Sequence, residues 1–356
     1  MKEKLEILRQ FALPAEPVSC ERYGHGHINE TYLVDTENGA RFILHKINDQ
    51  IFRDVDGLMK NIHAVLSFLQ PRVEDPRAVL RLIKTRADGL WYRAADGSCW
   101  RMFAFVEDSI CLEQVESPED FYESAVAFGR FQQMLKDFPA ETLVETIPNF
   151  HHTPDRYRIF KESLKADVKG RAASVEQEIA FVLDREEEAG TLVRLLNEGK
   201  LPLRVTHNDT KLNNVMLDAR TRKALCVIDL DTVMPGCGLY DFGDSIRFGA
   251  SSAAEDEPDL EKVYLRLDLF EAYVRGFTSA CPGLTELERQ LLPLSAKIIT
   301  LEIGLRFLTD YLDGDTYFAT QREGQNLDRC RTQFKLVADM EKKWKQMHRI
   351  VREVTA

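Results

Sequence analysis

The stretch from Val205 to Asp244 constrains the fold most, because it alternates short apolar runs with polar, turn-forming residues. An apolar run precedes a polar loop, and two β-rich runs then flank the turn-like residues 218–223. This pattern predicts a strand, a loop and a β-hairpin. Residues 214 and 229 lie almost equally far from the turn, so the hairpin is expected to place Asn214 roughly opposite Asp229 at its open end.

The polar loop adds Asp209, five residues before Asn214. The amide oxygen of Asn214 and the carboxylate of Asp229 are hard ligands that suit Mg²⁺. Asp209 is the candidate base, or the group that orients an acceptor hydroxyl, and Lys211 could neutralise a phosphoryl group in transfer. Spacing alone therefore predicts a Mg²⁺-dependent phosphotransferase, with a surface lysine as the alternative interpretation of Lys211.

Three motifs are narrower than this spacing: H-N-D-T-K-L-N-N at 207–214, V-I-D-L-D-T-V-M-P-G at 227–236 and Y-D-F-G-D at 240–244. Together they resemble the aminoglycoside-phosphotransferase-related kinases of the protein-kinase-like superfamily, and specifically the N-acetylhexosamine 1-kinase family. The resemblance runs from Gly24 to Trp344. It implies transfer of the ATP γ-phosphoryl group, with Mg²⁺, to the anomeric hydroxyl of N-acetylglucosamine or N-acetylgalactosamine. Alternatives are a kinase for another small alcohol, such as an aminoglycoside, a choline-like amino alcohol or a methylthioribose-like sugar, and a non-catalytic pseudokinase.

Length and composition agree with a globular enzyme of this kind. The 356 residues are 44% hydrophobic and 29% charged, which is enough for two compact lobes. The net charge of −11 disfavours nonspecific nucleic-acid binding. No apolar run approaches the ~20 residues of a membrane span, and none of the seven cysteines forms a C-x-x-C pair. We therefore expect reduced thiols, a cytoplasmic location, no membrane partner and an oligomeric state that the sequence leaves open.

The periodicity of apolar residues changes near residue 110. It predicts an α+β chain with a β-rich part at 1–108 and a mainly helical part at 109–356. With the polar loop in the helical part, this is the two-lobed layout of a kinase-like fold, and the resemblance implies a nucleotide-binding first lobe and a catalytic and substrate-binding second lobe. Expected strands cover residues 22–35 (two strands around a glycine turn), 41–47, 80–85, 90–93 and 99–106. Expected helices cover residues 54–70, 118–135, 155–164, 175–197, 259–277, 286–312 and 327–351.

The candidate nucleotide-binding residues are Gly24, Gly26 and Lys46. Glycines let backbone N–H groups approach phosphates closely, and kinase-like enzymes place a phosphate-pairing lysine on the third strand. In protein kinases a glutamate on the following helix orients this lysine. Here that helix contains no glutamate, so we expect an aspartate as the partner of Lys46. An ordinary hairpin turn and a surface lysine are the alternatives. The resemblance also implies that Gly26 and His27 contribute to the sugar pocket.

The resemblance further implies that Arg306, Tyr317 and Trp344 line a hexosamine pocket. Arg306 lies in an otherwise apolar helical run, where a guanidinium needs partners. Its alternative role is an ion pair with Asp310, four residues on. Trp344 belongs to an apolar stripe with 3,4 spacing, so core packing is its alternative role.

Other polar residues of the stretch are given supporting roles. Asp231 is expected on the same strand face as Asp229, as a further ligand or a supporting acid. Asp241 and Asp244 are expected to brace the loop, and His207 to pack beneath it. Gly236 and Gly238 predict a flexible turn. The adjacent His151 and His152 lack a third ligand at helical spacing, so a packed loop is expected rather than a metal site.

Overall fold

The computed structural model describes residues 2–24 and 28–356. They form two compact bodies. The first body lies within residues 1–110, 137–148 and 216–235, and the second body within residues 111–136, 149–215 and 236–356. The sequence predicted one lobe at residues 1–108 and the other at 109–356, and assigned neither of the two later segments to the first. The stretch from Val205 to Asp244 is divided twice, between Val215 and Met216 and between Pro235 and Gly236.

The strands are short and mostly belong to the first body. Their bounds are β1 (Pro17–Arg22), β2 (Glu30–Thr36), β3 (Arg41–Ile47), β4 (Leu82–Ile83), β5 (Tyr92–Arg93), β6 (Cys99–Ala104), β7 (Ser109–Cys111), β8 (Leu203–Thr206), β9 (Val215–Asp218), β10 (Ala224–Val227) and β11 (Met234–Cys237). The main sheet is antiparallel, has the order β1-β2-β3-β6-β4, and pairs β5 with β6. A second sheet has the order β10-β9-β7, and β11 pairs with β8.

Alternating burial along β2 and β3 builds the core of the first body. Val34 and Leu44 are fully buried with Met102 of β6, and Leu8 and Phe11 pack against the same cluster. A two-residue period of burial is typical of an antiparallel sheet with one buried face. The predicted hairpin is confirmed, since β9 and β10 are adjacent strands.

Helices make up most of the second body. The first body contains α1 (Lys2–Leu8) and α2 (Val55–Leu69). The second body contains α3 (Pro118–Met134), α4 (Thr153–Ala166), α5 (Glu176–Leu183), α6 (Glu186–Ala189), α7 (Thr191–Asn197), α8 (Leu239–Gly249), α9 (Leu267–Ala280), α10 (Glu286–Asp313), α11 (Gln325–Lys342) and α12 (Trp344–Thr355). The β-rich and helical parts confirm the predicted α+β class.

The central helix of the second body is α10. It begins at a capping box, in which Thr285 accepts from the Glu288 backbone and the Glu288 side chain accepts from the Thr285 backbone. It ends at Gly314, whose φ of +97° favours glycine. Helix α8 packs very closely against α10. A Cβ atom added at Gly243 would lie only 2.6 Å from the Ser295 carbonyl oxygen. Glycine is therefore required at 243 for this approach.

Several predicted elements differ from the structure. The single helix predicted over 175–197 is three short helices, and the one predicted over 327–351 breaks at Lys343. Residues 259–266 are not part of α9. The turn predicted at Gly236 and Gly238 is instead strand β11 followed by the start of α8, a helix that the sequence analysis missed. In α8 the buried face contains two acids, Asp241 and Asp244, as well as apolar residues. The apolar residues alone therefore do not show the period of a helix.

Two observations bear on the chain's environment. All seven cysteines are free thiols, and six of them are buried. Among the described residues, no helix is both long and apolar enough to cross a bilayer.

Candidate active site

Asp209 of the second body is held by two residues that follow it in the same loop, Lys211 and Asn214. The Lys211 ammonium lies 2.9 Å from Oδ1 of Asp209. The Asn214 amide donates to Oδ2 of Asp209 at 3.1 Å and to its backbone oxygen at 2.8 Å. The Asp209 side chain is 23% exposed, so its carboxylate remains accessible to a small molecule. The Asn214 bonds use the amide nitrogen, so its oxygen, the atom that a hard cation requires, takes no part in them.

The charge state of this pair follows from its surroundings. Burial by itself would raise the pKa of Asp209, but the charge of Lys211 and its hydrogen bond outweigh burial and lower that pKa below its ordinary value. The charge of Asp209 in turn raises the pKa of Lys211 to about 12. Both groups are therefore charged at neutral pH, and Asp209 can accept a hydrogen bond or a proton.

Direct titration of Asp209 tests this electrostatic account. Because its folded pKa is depressed, its stabilising contribution is present above the ordinary value of 3.8 and is lost as pH falls through the folded pKa. We expect the carboxyl ¹³C resonance of Asp209 to titrate with a midpoint below 3.8. In Lys211→Met the midpoint should rise, because burial then acts without the opposing charge. A wild-type midpoint above 3.8 would contradict the account.

Helix α8 fixes the backbone of the loop through two carboxylates. Asp241 accepts the backbone N–H of His207 at 3.0 Å and that of Asn208 at 2.8 Å. Asp244 accepts the backbone N–H of Thr210 at 2.8 Å. The two acids lie one helical turn apart and bind three nearly consecutive peptide groups. Their bracing role, predicted from the sequence, agrees with this geometry.

Asp241→Asn should loosen the loop. The two carboxylate oxygens of Asp241 accept from the His207 and Asn208 backbones and also from the Gln132 amide at 2.9 Å. An asparagine offers one acceptor oxygen, so at least one buried N–H loses its partner, at a cost of about 1–3 kcal/mol. We expect urea denaturation to report a loss of this size. An unchanged unfolding free energy would show that Asp241 does not hold the loop.

His207 packs under the loop, as expected from its sequence context. It is fully buried, and its ring makes edge contacts with Phe128 and Phe131 of α3 at centroid distances of 5.4 and 6.0 Å. This environment is typical of a structural histidine.

In the first body, Asp229 and Asp231 do not lie on one strand. Asp229 has left-handed backbone angles, with φ of 57°, and residues 230–232 form a 3₁₀ turn. The prediction that Asp231 shares a strand face with Asp229 is therefore wrong. Asp231 instead forms a buried ion pair with Arg101, whose side chain is 1% exposed, and accepts from the Asn29 amide at 2.5 Å. With both carboxylate oxygens bound, Asp231 supports the segment.

The ion pair extends to strand β3. Arg101 donates to Nδ1 of His45 at 3.2–3.3 Å, which requires that nitrogen to be unprotonated. Burial, together with the charge of Arg101, lowers the pKa of His45 to about 3, so the ring is neutral. The amide oxygen of Asn29 also accepts the Asn48 backbone N–H at 2.9 Å. This network joins the residue after the glycine loop to the segment that carries Asp229.

Lys46 has an acidic partner that the sequence analysis did not identify. Its ammonium lies 3.4 Å from Glu30, its cross-strand neighbour on β2. The expected aspartate partner is wrong: Asp54 caps α2 by accepting the Gly57 N–H, and Asp56 accepts from the Trp91 indole. Both members of the Lys46–Glu30 pair are partly exposed, so the pair contributes at most about 1 kcal/mol.

The glycine loop is only partly described. Gly24 has φ of +68°, a left-handed conformation that favours glycine. Gly26 and His27, predicted to contact nucleotide and sugar, lie outside the described residues.

Arg306 lies among aromatic rings of the second body. Its guanidinium carbon is 5.2 Å from the Phe150 ring centre, 5.8 Å from Tyr317 and 5.4 Å from Phe318. Among the described residues, no carboxylate lies within 4.0 Å of this guanidinium. We call Phe150, Arg306, Tyr317 and Phe318 the Arg306 cluster.

The alternative Arg306–Asp310 ion pair does not form. Asp310 instead accepts the backbone N–H groups of Thr316, Tyr317 and Phe318 at 2.8–2.9 Å. One buried carboxylate thus fixes the loop that carries two of the three aromatic rings of the cluster, those of Tyr317 and Phe318. The Tyr317 side chain remains 62% exposed, so its ring is available to a ligand.

Trp344 is not brought into contact with the Arg306 cluster within the described part of the chain. It begins α12, and its ring contacts Lys297 of α10 at 5.1 Å and His348 at 4.8 Å. Lys297 and Arg306 are nine residues apart, or roughly 13 Å along a helix. The role of Trp344 in a sugar pocket stays a prediction.

Sequence reasoning missed Arg101 as part of the network around Asp231. It is a charged residue inside the apolar run of β6 and is fully buried. A buried charge needs a partner, so the same signal that identified Arg306 could have found it.

Comparison with solved structures places the fold in the kinase-like class. A microcompartment-associated aminopropanol kinase superposes with a TM-score of 0.63 at 17% identity, covering 98% of each chain. A spectinomycin phosphotransferase in complex with ADP gives 0.61 at 12% identity, covering 97% of this chain and 98% of the other. An ethanolamine kinase of Plasmodium vivax gives 0.56 at 12% identity, covering 87% and 80%. These identities establish the fold alone.

The sequence itself establishes the family. The model of the phosphotransferase enzyme family, APH, matches residues 19–275, and the chain belongs to that family. It is a phosphotransferase by family, with a kinase-like fold.

Proposed function

We propose that this phosphotransferase transfers the γ-phosphoryl group of ATP to the anomeric hydroxyl of N-acetylglucosamine or N-acetylgalactosamine, in a reducing cytoplasm. The observation that carries the transfer step is Asp209, an accessible carboxylate kept charged by Lys211. The carboxylate accepts a hydrogen bond from the acceptor hydroxyl and takes its proton as the oxygen attacks. The identity of the acceptor rests on the sequence motifs and the Arg306 cluster.

Asn214 and Asp229 are the proposed ligands of Mg²⁺, which neutralises nucleotide phosphates when bound. Their side chains supply only oxygen ligands of the hard type, which fits Mg²⁺ better than a soft metal. Lys46 and the glycines at 24 and 26 are the proposed phosphate contacts. The weak, exposed Lys46–Glu30 pair supports this role, because the ammonium can exchange one anion for another at little cost.

The Arg306 cluster supports a neutral sugar acceptor. A guanidinium without a carboxylate partner can donate to hydroxyl and amide oxygens. Aromatic rings such as the exposed Tyr317 can pack on the C–H face of a sugar. His27 and Trp344 are further proposed contacts, on the strength of the motifs.

A different small alcohol is the second candidate, because structural neighbours include kinases for aminopropanol and ethanolamine. An acceptor with an ammonium group would be expected to meet carboxylates, and a cation at position 306 opposes it. A non-catalytic role is disfavoured because Asp209, Asn214 and Asp229 are all present.

A panel of acceptors with ATP and Mg²⁺ tests the proposal. N-acetylglucosamine, N-acetylgalactosamine, the parent hexoses, ethanolamine and an aminoglycoside are compared by ADP release. We expect the acetamido sugars to be the best acceptors and their product to be acid-labile, since an anomeric phosphate hydrolyses more easily than a 6-phosphate. An acid-stable product, or turnover of amino alcohols alone, would overturn the proposed acceptor.

Arg306→Met tests the acceptor site separately. Removing a charged donor costs about 1.5–3 kcal/mol, so we expect KM for the acetamido sugar to rise roughly 10- to 100-fold while KM for ATP stays unchanged. Arg275→Met is the matched control, because Arg275 is exposed and pairs with Glu271 on the same helix. Equal effects on both substrates would argue against a specific acceptor contact.

A further inference from the structure

A buried histidine outside the predicted site contacts the residue before Asp209. His151 is 5% exposed and lies just before α4. Its Nδ1 is 2.8 Å from Oε1 of Glu302, and its Nε2 is 3.3 Å from the backbone oxygen of Asn208. Both ring nitrogens therefore face acceptor atoms.

This geometry determines the protonation state of the ring. A neutral imidazole carries one N–H and one bare nitrogen, and a bare nitrogen facing an acceptor is repelled. Only the imidazolium form donates from both nitrogens. The charge is balanced locally, because Glu302 is fully buried and the other oxygen of its carboxylate accepts from the Thr153 hydroxyl at 2.6 Å.

The state of Glu302 agrees with this assignment. Burial alone would raise the pKa of Glu302, but the charge of His151 and its hydrogen bond outweigh burial and lower it. A buried carboxylate in its ionised form needs a cation beside it. The His151 ring contacts Glu302 of α10 and the Tyr240 ring of α8, whose centre is 5.2 Å away, and Arg156 of α4 acts on Glu302 by lowering its pKa further.

The contact matters because Asn208 is conformationally unusual. Its φ is 68°, a left-handed value that a non-glycine residue adopts at some cost. Its N–H is held by Asp241 at 2.8 Å, and its carbonyl by His151 at 3.3 Å. His151 thus holds the carbonyl of the peptide group that joins Asn208 to Asp209, while Asp241 of α8 holds the N–H of the peptide group before it.

We propose that His151 is an imidazolium ion, paired with Glu302, that fixes the Asn208–Asp209 peptide and so positions Asp209. The proposal rests on the proposed phosphotransfer for its catalytic consequence only. His151 is a positioning residue, since it reaches the reacting groups through Asn208. The charge of the ion pair stays buried, and its effect is exerted through a single hydrogen bond to the loop.

Nitrogen NMR of the full chain with ¹⁵N-labelled histidine tests the protonation state without any substrate. At about pH 7.5, one unit above the ordinary histidine pKa, we expect both ring nitrogens of His151 to carry protons. The resonances are identified by their loss in His151→Gln. In Glu302→Gln we expect His151 to be neutral at the same pH. A neutral His151 ring in the wild-type protein would overturn the proposal.

Kinetics of the same variants test the positioning role, with whichever acceptor the panel identifies. A glutamine at 151 offers one donor group and must turn an acceptor toward Glu302 or Asn208. Small misplacement of a catalytic group can cost up to about 100-fold in rate, so kcat should fall roughly 10- to 100-fold with KM for ATP unchanged. In Glu302→Gln a neutral His151 ring can still donate from Nε2 to Asn208 while Nδ1 accepts from the new amide, so kcat should fall less than in His151→Gln. His63→Gln, on α2 in the first body, is the matched control.

The outcomes separate this proposal from the proposed function. If the panel identifies an acceptor other than an acetamido sugar, the kinetic assay uses that acceptor instead. The expected NMR result and the expected loss of kcat stay the same. Full kcat in His151→Gln would overturn the positioning role. If His151→Gln does not fold, the wild-type spectrum still decides the question, because a neutral wild-type ring contradicts the proposal.

Discussion

Asp209→Asn is expected to lower kcat by about 10²- to 10⁴-fold, the usual contribution of a positioned acid–base group. The substitution removes the negative charge that accepts the hydroxyl proton. It also turns an amide N–H₂ toward Lys211 or Asn214, both of which donate to this side chain in the wild type. Initial rates of ADP release at saturating acceptor measure the effect.

The control for Asp209→Asn is Asp88→Asn. Asp88 is 83% exposed and pairs only with Lys84 in a surface bridge. We expect its kcat to match the wild type, which shows that losing one carboxylate charge is not sufficient. Product formation at full rate in Asp209→Asn would sink the proposed role of Asp209 while leaving the family assignment intact.

Arg101→Met is expected to destabilise the protein by about 3–5 kcal/mol, because it leaves Asp231 as a buried charge without its cation. The remaining partner, Asn29, can hydrogen-bond the carboxylate but cannot neutralise it. Urea denaturation of the wild type and the variant measures the difference in unfolding free energy. Lys84→Met, in an exposed pair, should change it by at most about 1 kcal/mol.

A second substitution separates charge from packing at this site. Adding Asp231→Asn to Arg101→Met removes the unpaired charge, so the double variant should be more stable than Arg101→Met alone. The two residues are in direct contact and are therefore expected to be non-additive. Additive losses would show that packing of the arginine side chain, and not the ion pair, accounts for the effect.

The sequence predicted what depends on local spacing. Asp209 and Asn214 are five residues apart on one loop, and the structure joins them by hydrogen bonds. Strand β3 was predicted with the bounds observed, because its apolar run directly follows the turn-forming residues 37–39. The motifs also led to the phosphotransferase family that the comparison establishes.

The contacts that depend on tertiary register could not be predicted. Glu30 pairs with Lys46 because β2 and β3 align those two residues, a register that the sequence does not reveal. Asp231 pairs with Arg101 across 130 residues. The apolar stripe of α12 fitted either core or pocket, so it could not decide between the two for Trp344.

The loop held by Asp310 is supported by a different carboxylate from the loop that carries Asp209. Residues 316–318 take their backbone positions from Asp310 at the end of α10, whereas Asp209 takes its position from α8, from its own loop and from His151. On the proposed function, acceptor choice and phosphoryl transfer are therefore encoded in segments that can vary independently. Replacing the residues after Gly314 while keeping Asp310 offers a route to new acceptors in which the transfer chemistry is inherited unchanged.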